Sequence, residues 1–205
     1  GLYRRSHYFN GFEIISNEMA ITQFYRLANS PSDETVLLAG AQDNGTFRWK
    51  NEIWQQVNGG DGMEAMIHPT NGNTMYCTIQ RGELRKSTDG GNSFSDDIAP
   101  IGGAWVTPFM LEPGEPEVVY AASNTKVYRS DAGGSDWWEF SPGLTTINSG
   151  QLIMLDVSHS NTEYVVAGSR RTIRITTDLG DTWNNILSGL PGNNMTYVAF
   201  DPLEE

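Results

Sequence analysis

Two acidic residues in Gly-rich stretches, Asp43 and Asp61, have the clearest potential for chemistry in this sequence. Asp43 lies in Gly-Ala-Gln-Asp-Asn-Gly at residues 40–45, and Asp61 lies in Asn-Gly-Gly-Asp-Gly-Met-Glu at residues 58–64. Two carboxyl groups about 5 to 9.5 Å apart can hydrolyse a glycosidic bond by acid–base catalysis. The same groups, with nearby carbonyl oxygens, are the type of ligand that Ca²⁺ takes. Asp43 and Asp61 are therefore the candidate catalytic residues, and the candidate ligands if calcium is a cofactor.

A structural role in turns is the expected alternative for both acids. Asp-Asn-Gly and Gly-Asp-Gly are common turn sequences, because Asp, Asn and Gly tolerate the backbone angles that tight turns need. The sequence has no EF-hand-like spacing of acidic residues. Hydrolysis, calcium binding and turn formation thus remain three open interpretations of the same two residues.

An eight-residue frame, [S/T]-x-D-x-G-x-x-[F/W], recurs along the chain and indicates how these acids are positioned. It occurs at residues 87–94, 130–137 and 176–183, with Ala132 in place of the Asp in the middle copy. The closing aromatic recurs as Trp54, Phe94, Trp137 and Trp183, at spacings of 40, 43 and 46 residues. We expect the repeated residues to be structural: Ser87, Asp89, Gly91, Phe94, Ser130, Gly134, Trp137, Thr176, Asp178, Gly180 and Trp183.

Each period also contains four short apolar runs separated by turn residues, which is typical of a β-propeller blade. The sequence predicts an all-β fold with four whole blades at residues 21–57, 62–98, 104–141 and 151–187. Residues 1–15 fit the end of a preceding blade, with Phe12 in the aromatic position, and residues 195–205 fit the start of a following one. About five blades are therefore expected, as a section of a larger propeller.

The repeated frame resembles the Asp box of the bacterial-neuraminidase-type (BNR) repeat, which occurs in sialidases, sortilin-type receptors, xyloglucanase-type glycoside hydrolases and secreted Bacteroidetes propellers. The resemblance implies that the box is a structural turn, remote from any active site. It also implies an extracellular or cell-surface protein, of a kind often exported by type IX secretion. Residues 40–49 are similar to the Asp-x-Gly-Gly-x-Tyr-Arg-Trp stretch of the xyloglucanase type, which implies a catalytic Asp43. The match departs at Asn44 and Thr46, and the second acid of that family comes from a separate propeller.

Strand alternation places the turns between second and third strands, and the connections between blades, on one face of the propeller. We call this the loop face, and the opposite face, which carries the repeated frame, the box face. Binding residues tend to collect on loops of a rigid scaffold. The candidate ligand-binding residues are Gln42, Asn44, Asp61, Glu64, Arg81, Trp105 and Arg170.

Two of these candidates have structural alternatives. Trp105 and Trp49 could serve as stacking platforms, although a place in the core is expected for Trp105. Glu64 and Arg26 occupy equivalent positions on neighbouring innermost strands, and an ion pair between the two blades is predicted.

Composition narrows the class of partner. A net charge of −12 and a pI near 4.6 disfavour nucleic acid, which requires a basic surface. No apolar run is long enough to span a membrane. The single cysteine, Cys77, lies in an apolar run and is expected in the core. The favoured function is a secreted or surface module that binds glycan or protein. The alternatives are a glycoside hydrolase of the xyloglucanase type and a sortilin-type peptide receptor.

Overall fold

The protein is built from short antiparallel strands joined in chain order. A computed structural model describes residues 3–5, 11–14, 22–142, 144, 150–190 and 194–202. One 3₁₀ turn, Gln80–Gly82, accompanies the strands in these residues. The strands are β1 (Tyr3–Arg5), β2 (Phe12–Ile14), β3 (Phe24–Ser30), β4 (Asp33–Ala41), β5 (Gly45–Lys50), β6 (Ile53–Asn58), β7 (Gly62–Ile67), β8 (Met75–Ile79), β9 (Leu84–Ser87), β10 (Phe109–Leu111), β11 (Val119–Ala122), β12 (Val127–Ser130), β13 (Trp138–Glu139), β14 (Met154–Val157), β15 (Val165–Gly168), β16 (Ile173–Thr176) and β17 (Asn184–Asn185).

Each strand pairs with the next one along the chain, so every sheet is an up-and-down meander. The sheets are β3-β4-β5-β6, β7-β8-β9, β10-β11-β12-β13 and β14-β15-β16-β17, preceded by the pair β1-β2. We number the first four of these as blades one to four in chain order. The predicted all-β propeller architecture is confirmed, since this is the arrangement of propeller blades.

The hydrophobic core lies between successive blades. Val36 and Leu38 of blade one pack with Ala65 and Ile67 of blade two, and Cys77 is fully buried among them. Equivalent clusters join blade two to blade three and blade three to blade four. Aliphatic side chains fill the first cluster, whereas Tyr76, Tyr120, Phe140 and Trp183 are buried in the other two. Burial between sheets therefore fixes the order of the blades.

The fourth strand predicted for blade two is absent from the sheet. Residues 94–98 run beside β9, but Ser95 Oγ accepts the Lys86 N–H at 3.0 Å and Asp97 Oδ1 accepts the Leu84 N–H at 3.0 Å. Two backbone bonds, from Ser95 N to Lys86 O and from Ile98 N to Leu84 O, remain. Side-chain oxygens thus replace backbone carbonyls as the acceptors for two N–H groups of β9. Residues 94–98 therefore form no regular fourth strand.

The two ends of the chain differ from the prediction in detail. β1 and β2 form the expected antiparallel pair, but Phe12 is 72% exposed and fills no aromatic position in a core. Residues 194–202 form no regular strand, although the Phe200 N–H donates to Asp156 Oδ2 at 2.7 Å. The start of a following blade predicted here is therefore not formed as a strand in the described residues.

The repeated frame forms a tight turn on the box face. Asp89 accepts the backbone N–H groups of Asn92 at 3.0 Å and Ser93 at 2.9 Å, and Ser87 Oγ accepts the Gly91 N–H at 2.9 Å. Hydrogen bonds from Ser93 hold the pKa of the Asp89 carboxyl below its ordinary value. In blade four Asp178 likewise accepts the Thr182 N–H at 2.9 Å, and Thr176 Oγ1 accepts the Gly180 N–H at 2.9 Å. The Asp181 N–H, in the position of Asn92, donates to the backbone carbonyl of Asp178 instead.

The middle turn lacks the Asp yet keeps a carboxylate. Asp136, four residues after Ala132, accepts the Ser130 hydroxyl at 2.8 Å. Ser130 Oγ still accepts the Gly134 N–H at 2.8 Å. The carboxylate of Asp136, near the end of the frame, therefore accepts the hydrogen bond that the missing Asp at position 132 would accept.

Each turn also docks on the blade before it. Arg48 of blade one donates to the Gly90 carbonyl, and the Tyr76 hydroxyl of blade two donates to the Gly133 carbonyl at 3.3 Å. In blade four a Cβ on Gly180 would overlap the Phe140 carbonyl oxygen of blade three. The turns thus act as clamps between blades.

Gly180→Ala should destabilise the fold by about 2 kcal/mol or more, because it adds a steric overlap to a backbone φ of +88°. Gly114→Ala is the matched control, since Gly114 has a φ of +86° and open space around it. The control should cost only about 1 kcal/mol. Urea denaturation of both variants measures the difference, and equal losses would refute the docking contact.

Candidate ligand-binding face

Three glycines bring the connection between blades one and two onto the β4–β5 turn. A Cβ on Gly40 would overlap the carbonyl oxygen of Met63, and one on Gly62 would overlap that of Gly45. A Cβ on Gly45 would overlap the carbonyl oxygen of Asn58. Only glycine permits this approach of two backbones. The two Gly-rich stretches are therefore in direct contact, as their shared place on the loop face predicts.

The contact brings Asp61 to the backbone of Asp43. Asp61 Oδ1 accepts the Asp43 N–H at 2.6 Å, and the Asp61 N–H donates to Gln80 Oε1 at 2.9 Å. Asp43 has a φ of 58°, which Asp tolerates better than most residues. The Asp43 side chain is exposed, and its carboxylate makes no hydrogen bond within the described part of the chain. The Asp61 carboxylate thus stabilises the β4–β5 turn, whereas the side chain of Asp43 is exposed to solvent.

An equivalent contact recurs in the other three blades through the backbone alone. The Gly103 N–H donates to the Arg81 carbonyl at 2.8 Å, and the Leu152 N–H donates to the Asn124 carbonyl at 2.9 Å. The Met195 N–H donates to the carbonyl of Arg170 at 3.1 Å. Every connection in this series is bonded to the turn of the blade that it leaves. Asp61 provides this link in blade one, which supports a structural role for it.

Gln42 and Asn44 are also engaged by their surroundings. Asn44 Nδ2 donates to the Gln42 carbonyl at 2.8 Å, and Gln56 Nε2 donates to the Asn44 carbonyl at 2.8 Å. Gln42 Oε1 accepts the Tyr25 hydroxyl at 3.2 Å. Asn44 therefore shapes the turn, while the Gln42 side chain points towards Tyr25.

Trp105 lies on the surface, so the expectation of a core position is wrong. It precedes β10 in an irregular segment and is 46% exposed. Its Nε1 contacts the Tyr25 hydroxyl at 3.4 Å, which links blade three to blade one. A loop position explains the exposure, since no sheet covers the ring there. The sequence pattern did not single out Tyr25.

A groove of about 630 Å³ opens beside Trp105 on the loop face. Arg81 is fixed at its edge, because its N–H donates to the Trp105 carbonyl at 3.2 Å. Gln151 Nε2 donates to Asn124 Oδ1 at 2.8 Å across the groove's other side. The lining residues are Arg81, Ile101, Gly102, Gly103, Trp105, Asn124 and Gln151.

Asn124 and Gln151 were not predicted as binding residues. Polar residues are common in loops, so their type alone does not distinguish them. The one available signal was that Asn124 occupies the same turn position in blade three as Arg81 does in blade two.

Glu64 lies away from this groove, on the innermost strand β7. Its Oε1 accepts a hydrogen bond from Arg26 Nε at 3.1 Å, so the predicted ion pair between blades one and two is confirmed. Burial raises the pKa of the Glu64 carboxyl to about 7, and the nearby Arg26 charge offsets part of that effect. Glu64 lines a separate cavity of about 490 Å³ with residues of the inner strands.

Arg170 and Trp49 are not brought to the groove either. Arg170 is exposed in the turn of blade four, outside the groove lining. Trp49 stands near the end of β5 that leads to the turn at Asn51 and Glu52, and its ring packs 5.5 Å from that of Trp54. That end of the strand belongs to the box face, so Trp49 and Trp105 cannot form one platform.

Within the described residues, no cluster of three or more His, Cys, Asp or Glu side chains has a geometry suited to a metal ion. Calcium binding by Asp43 and Asp61 stays a prediction. No helix in the described parts of the chain is long and apolar enough to cross a lipid bilayer.

Comparison with known proteins supports the fold. No known family model and no curated protein sequence matches this chain. A GH74 enzyme from Niastella koreensis has a TM-score of 0.68 and 19% identity, over 87% of this chain and 33% of that one. The GH74 xyloglucanase from Xanthomonas campestris has a TM-score of 0.66 and 15% identity, over 83% of this chain and 31% of that one. YCF48 bound to D1 peptide has a TM-score of 0.62 and 16% identity, over 88% of this chain and 58% of that one.

These similarities define the class of protein as a β-propeller. The chain spans about a third of the GH74 structures and more than half of the YCF48 structure. At such identities the likeness establishes the fold alone, and membership of the Asp-box family stays a prediction.

Asp61→Ala should destabilise the protein by about 1 kcal/mol, because it removes a charged acceptor from the Asp43 N–H. Asp43→Asn should change stability little, since Asn also tolerates a positive φ and the Asp43 carboxylate accepts no hydrogen bond from the described residues. Chemical denaturation of both variants measures this contrast. A larger loss for Asp43→Asn would contradict the assigned roles.

Stability should fall with rising pH because of Glu64. Its folded-state pKa of about 7 exceeds its ordinary value of 4.5, so between these values the folded state holds a proton that the unfolded state has lost. The contribution of Glu64 to the free energy of unfolding is therefore fully present below about pH 4.5 and is lost as the pH rises towards about 7. Glu64→Gln should lose less stability than wild type over this range in thermal denaturation. If the stability of the two proteins depended on pH in the same way, the raised pKa of Glu64 would be refuted.

Proposed function

We propose that this chain is a glycan-binding propeller module of an exported protein, with the ligand seated in the groove beside Trp105. The observation that carries the proposal is the exposed Trp105 ring held next to Arg81, Asn124 and Gln151. Loops fixed by a rigid scaffold are the usual place for such residues.

The chemistry of the groove suits a sugar. An indole ring offers an apolar face for the C–H groups of a pyranose, and its edge keeps a polar contact through Nε1. Asn124 and Gln151 offer amide donors and acceptors for hydroxyl groups. The volume of about 630 Å³ lies in the ordinary range for ligand pockets.

The structural neighbours support two kinds of ligand. Two of them are GH74 enzymes, one of which is a xyloglucanase, and a third is bound to a peptide. Peptide recognition commonly adds a strand to an exposed sheet edge or fills apolar pockets. The groove instead presents one aromatic ring and planar amides, which favours the glycan over a sortilin-type peptide ligand.

Hydrolysis is the second candidate function, and the exposed carboxylate of Asp43 is the observation that favours it. Asp43 lies on the loop face, and its backbone N–H is bonded to the Asp61 carboxylate, so the two acids that hydrolysis would need share one turn. A reducing-end assay on xyloglucan and other β-glucans tests this function. Product formed by wild type and lost in Asp43→Asn supports hydrolysis, and no product from the wild-type protein rejects it.

Trp105→Ala should weaken glycan binding by at least about tenfold, because it removes the stacking platform. Trp54→Ala is the matched control, since Trp54 is 40% exposed and lies outside the groove. A glycan array followed by calorimetry measures both variants. Equal affinities of Trp105→Ala and wild type would reject the groove as the binding site.

A further inference from the structure

We propose that the ligand of the Trp105 groove is an acidic glycan, whose carboxylate is bound by the guanidinium of Arg81. This inference rests on the proposed glycan-binding function and adds the chemical class of the ligand. The ligand class comprises sugars that carry a carboxylate, such as uronates and sialates.

Arg81 differs from the paired arginines of the protein. Arg26 pairs with Glu64 and Arg85 pairs with Glu83, while Arg129 pairs with Glu112 and Asp131. The Arg81 guanidinium is exposed and makes no hydrogen bond or ion pair within the described residues. An unpaired guanidinium with five donors is suited to bind a carboxylate through two parallel hydrogen bonds.

The backbone holds Arg81 in a defined place beside Trp105. Its N–H and its carbonyl are both bonded to the segment of residues 103–105, at 3.2 and 2.8 Å. Its φ of 68° is uncommon for a residue with a long side chain. Such backbone positions persist where neighbouring contacts enforce them, and they concentrate at ligand sites. The Arg81 backbone therefore has a fixed place beside Trp105, within reach of a ligand that stacks on that ring.

The electrostatics of the groove favour an anion, although the whole protein is acidic. Among the described residues that line the groove, Arg81 is the single one with a charged side chain. The net charge of −12 is screened over about 8 Å at physiological salt, so a contact with Arg81 outweighs distant acids. An anionic ligand is thus attracted to this groove and not to the surface in general.

The arrangement predicts how the ligand binds. The carboxylate lies on Arg81, the sugar ring stacks on Trp105, and the hydroxyl groups reach Asn124 and Gln151. An acidic peptide could supply a carboxylate too. It would leave the paired amides of Asn124 and Gln151 without the hydroxyl groups of a sugar, which makes it the less suitable ligand.

The test compares matched ligands on wild-type protein. Oligosaccharides ending in glucuronate, galacturonate or sialate are arrayed beside their carboxyl-reduced counterparts, together with an acidic peptide. At least one acidic sugar should bind about tenfold or more tightly than its reduced form, as expected for a charge-assisted hydrogen bond. Raising the salt concentration should reduce this preference.

Two arginine variants locate the effect. Arg81→Gln should abolish the preference for the acidic sugar while binding of the reduced form is retained. Arg170→Gln is the matched control, because Arg170 occupies the equivalent turn of blade four but lies outside the groove lining. It should bind as wild type does.

The outcomes separate this inference from the proposed function. Equal binding of acidic and reduced sugars, with both lost in Trp105→Ala, overturns the acidic ligand but keeps a glycan site. A preference that survives in Arg81→Gln overturns the role of Arg81. Binding of the acidic peptide alone, or of no ligand on the array, overturns the glycan function and this inference with it.

Discussion

The contact between each blade's turn and the connection that leaves that blade is the constraint on which the loop face depends. In blades two to four it is a backbone hydrogen bond to the carbonyl of Arg81, Asn124 or Arg170. In blade one, where Gly40 and Gly62 bring two backbones together, the Asp61 carboxylate replaces it. This contact keeps irregular segments in defined positions without a covering sheet. It thereby ties the irregular loop before each next blade to the turn beside it.

The two faces of the propeller differ in how their side chains are used. On the box face, Ser, Asp and Gly satisfy their own turns and clamp each blade onto the one before it. Arg48, Tyr76 and Phe140 provide those contacts from three successive blades. The repeated groups of each frame are therefore engaged in structural contacts on this face. The loop face keeps an aromatic ring, a cation and two amides exposed on supports that are themselves rigid.

Much of this arrangement is predictable from the sequence, because it follows from periodicity and turn chemistry. The repeat predicts the blades, strand alternation predicts that Asp43 and Asp61 approach each other, and equivalent positions predict the pair of Arg26 and Glu64. Contacts that break the repeat are not predictable in this way. Exposure of Trp105 depends on an irregular segment for which the other blades offer no template. The carboxylate of Asp136 comes from a position that the frame leaves unspecified, and Ser95 and Asp97 end the sheet of blade two by competing with its backbone.

Amide hydrogen exchange at Asp43 tests the turn-to-connection contact most directly. The account predicts slow exchange of this N–H in the wild-type protein, since it is bonded to Asp61 within a surface turn. Gly62→Ala should accelerate the exchange by pushing the two backbones apart, whereas Gly59→Ala, with open space around Gly59, should leave it slow. Fast exchange in the wild-type protein, or no change in Gly62→Ala, would contradict the account.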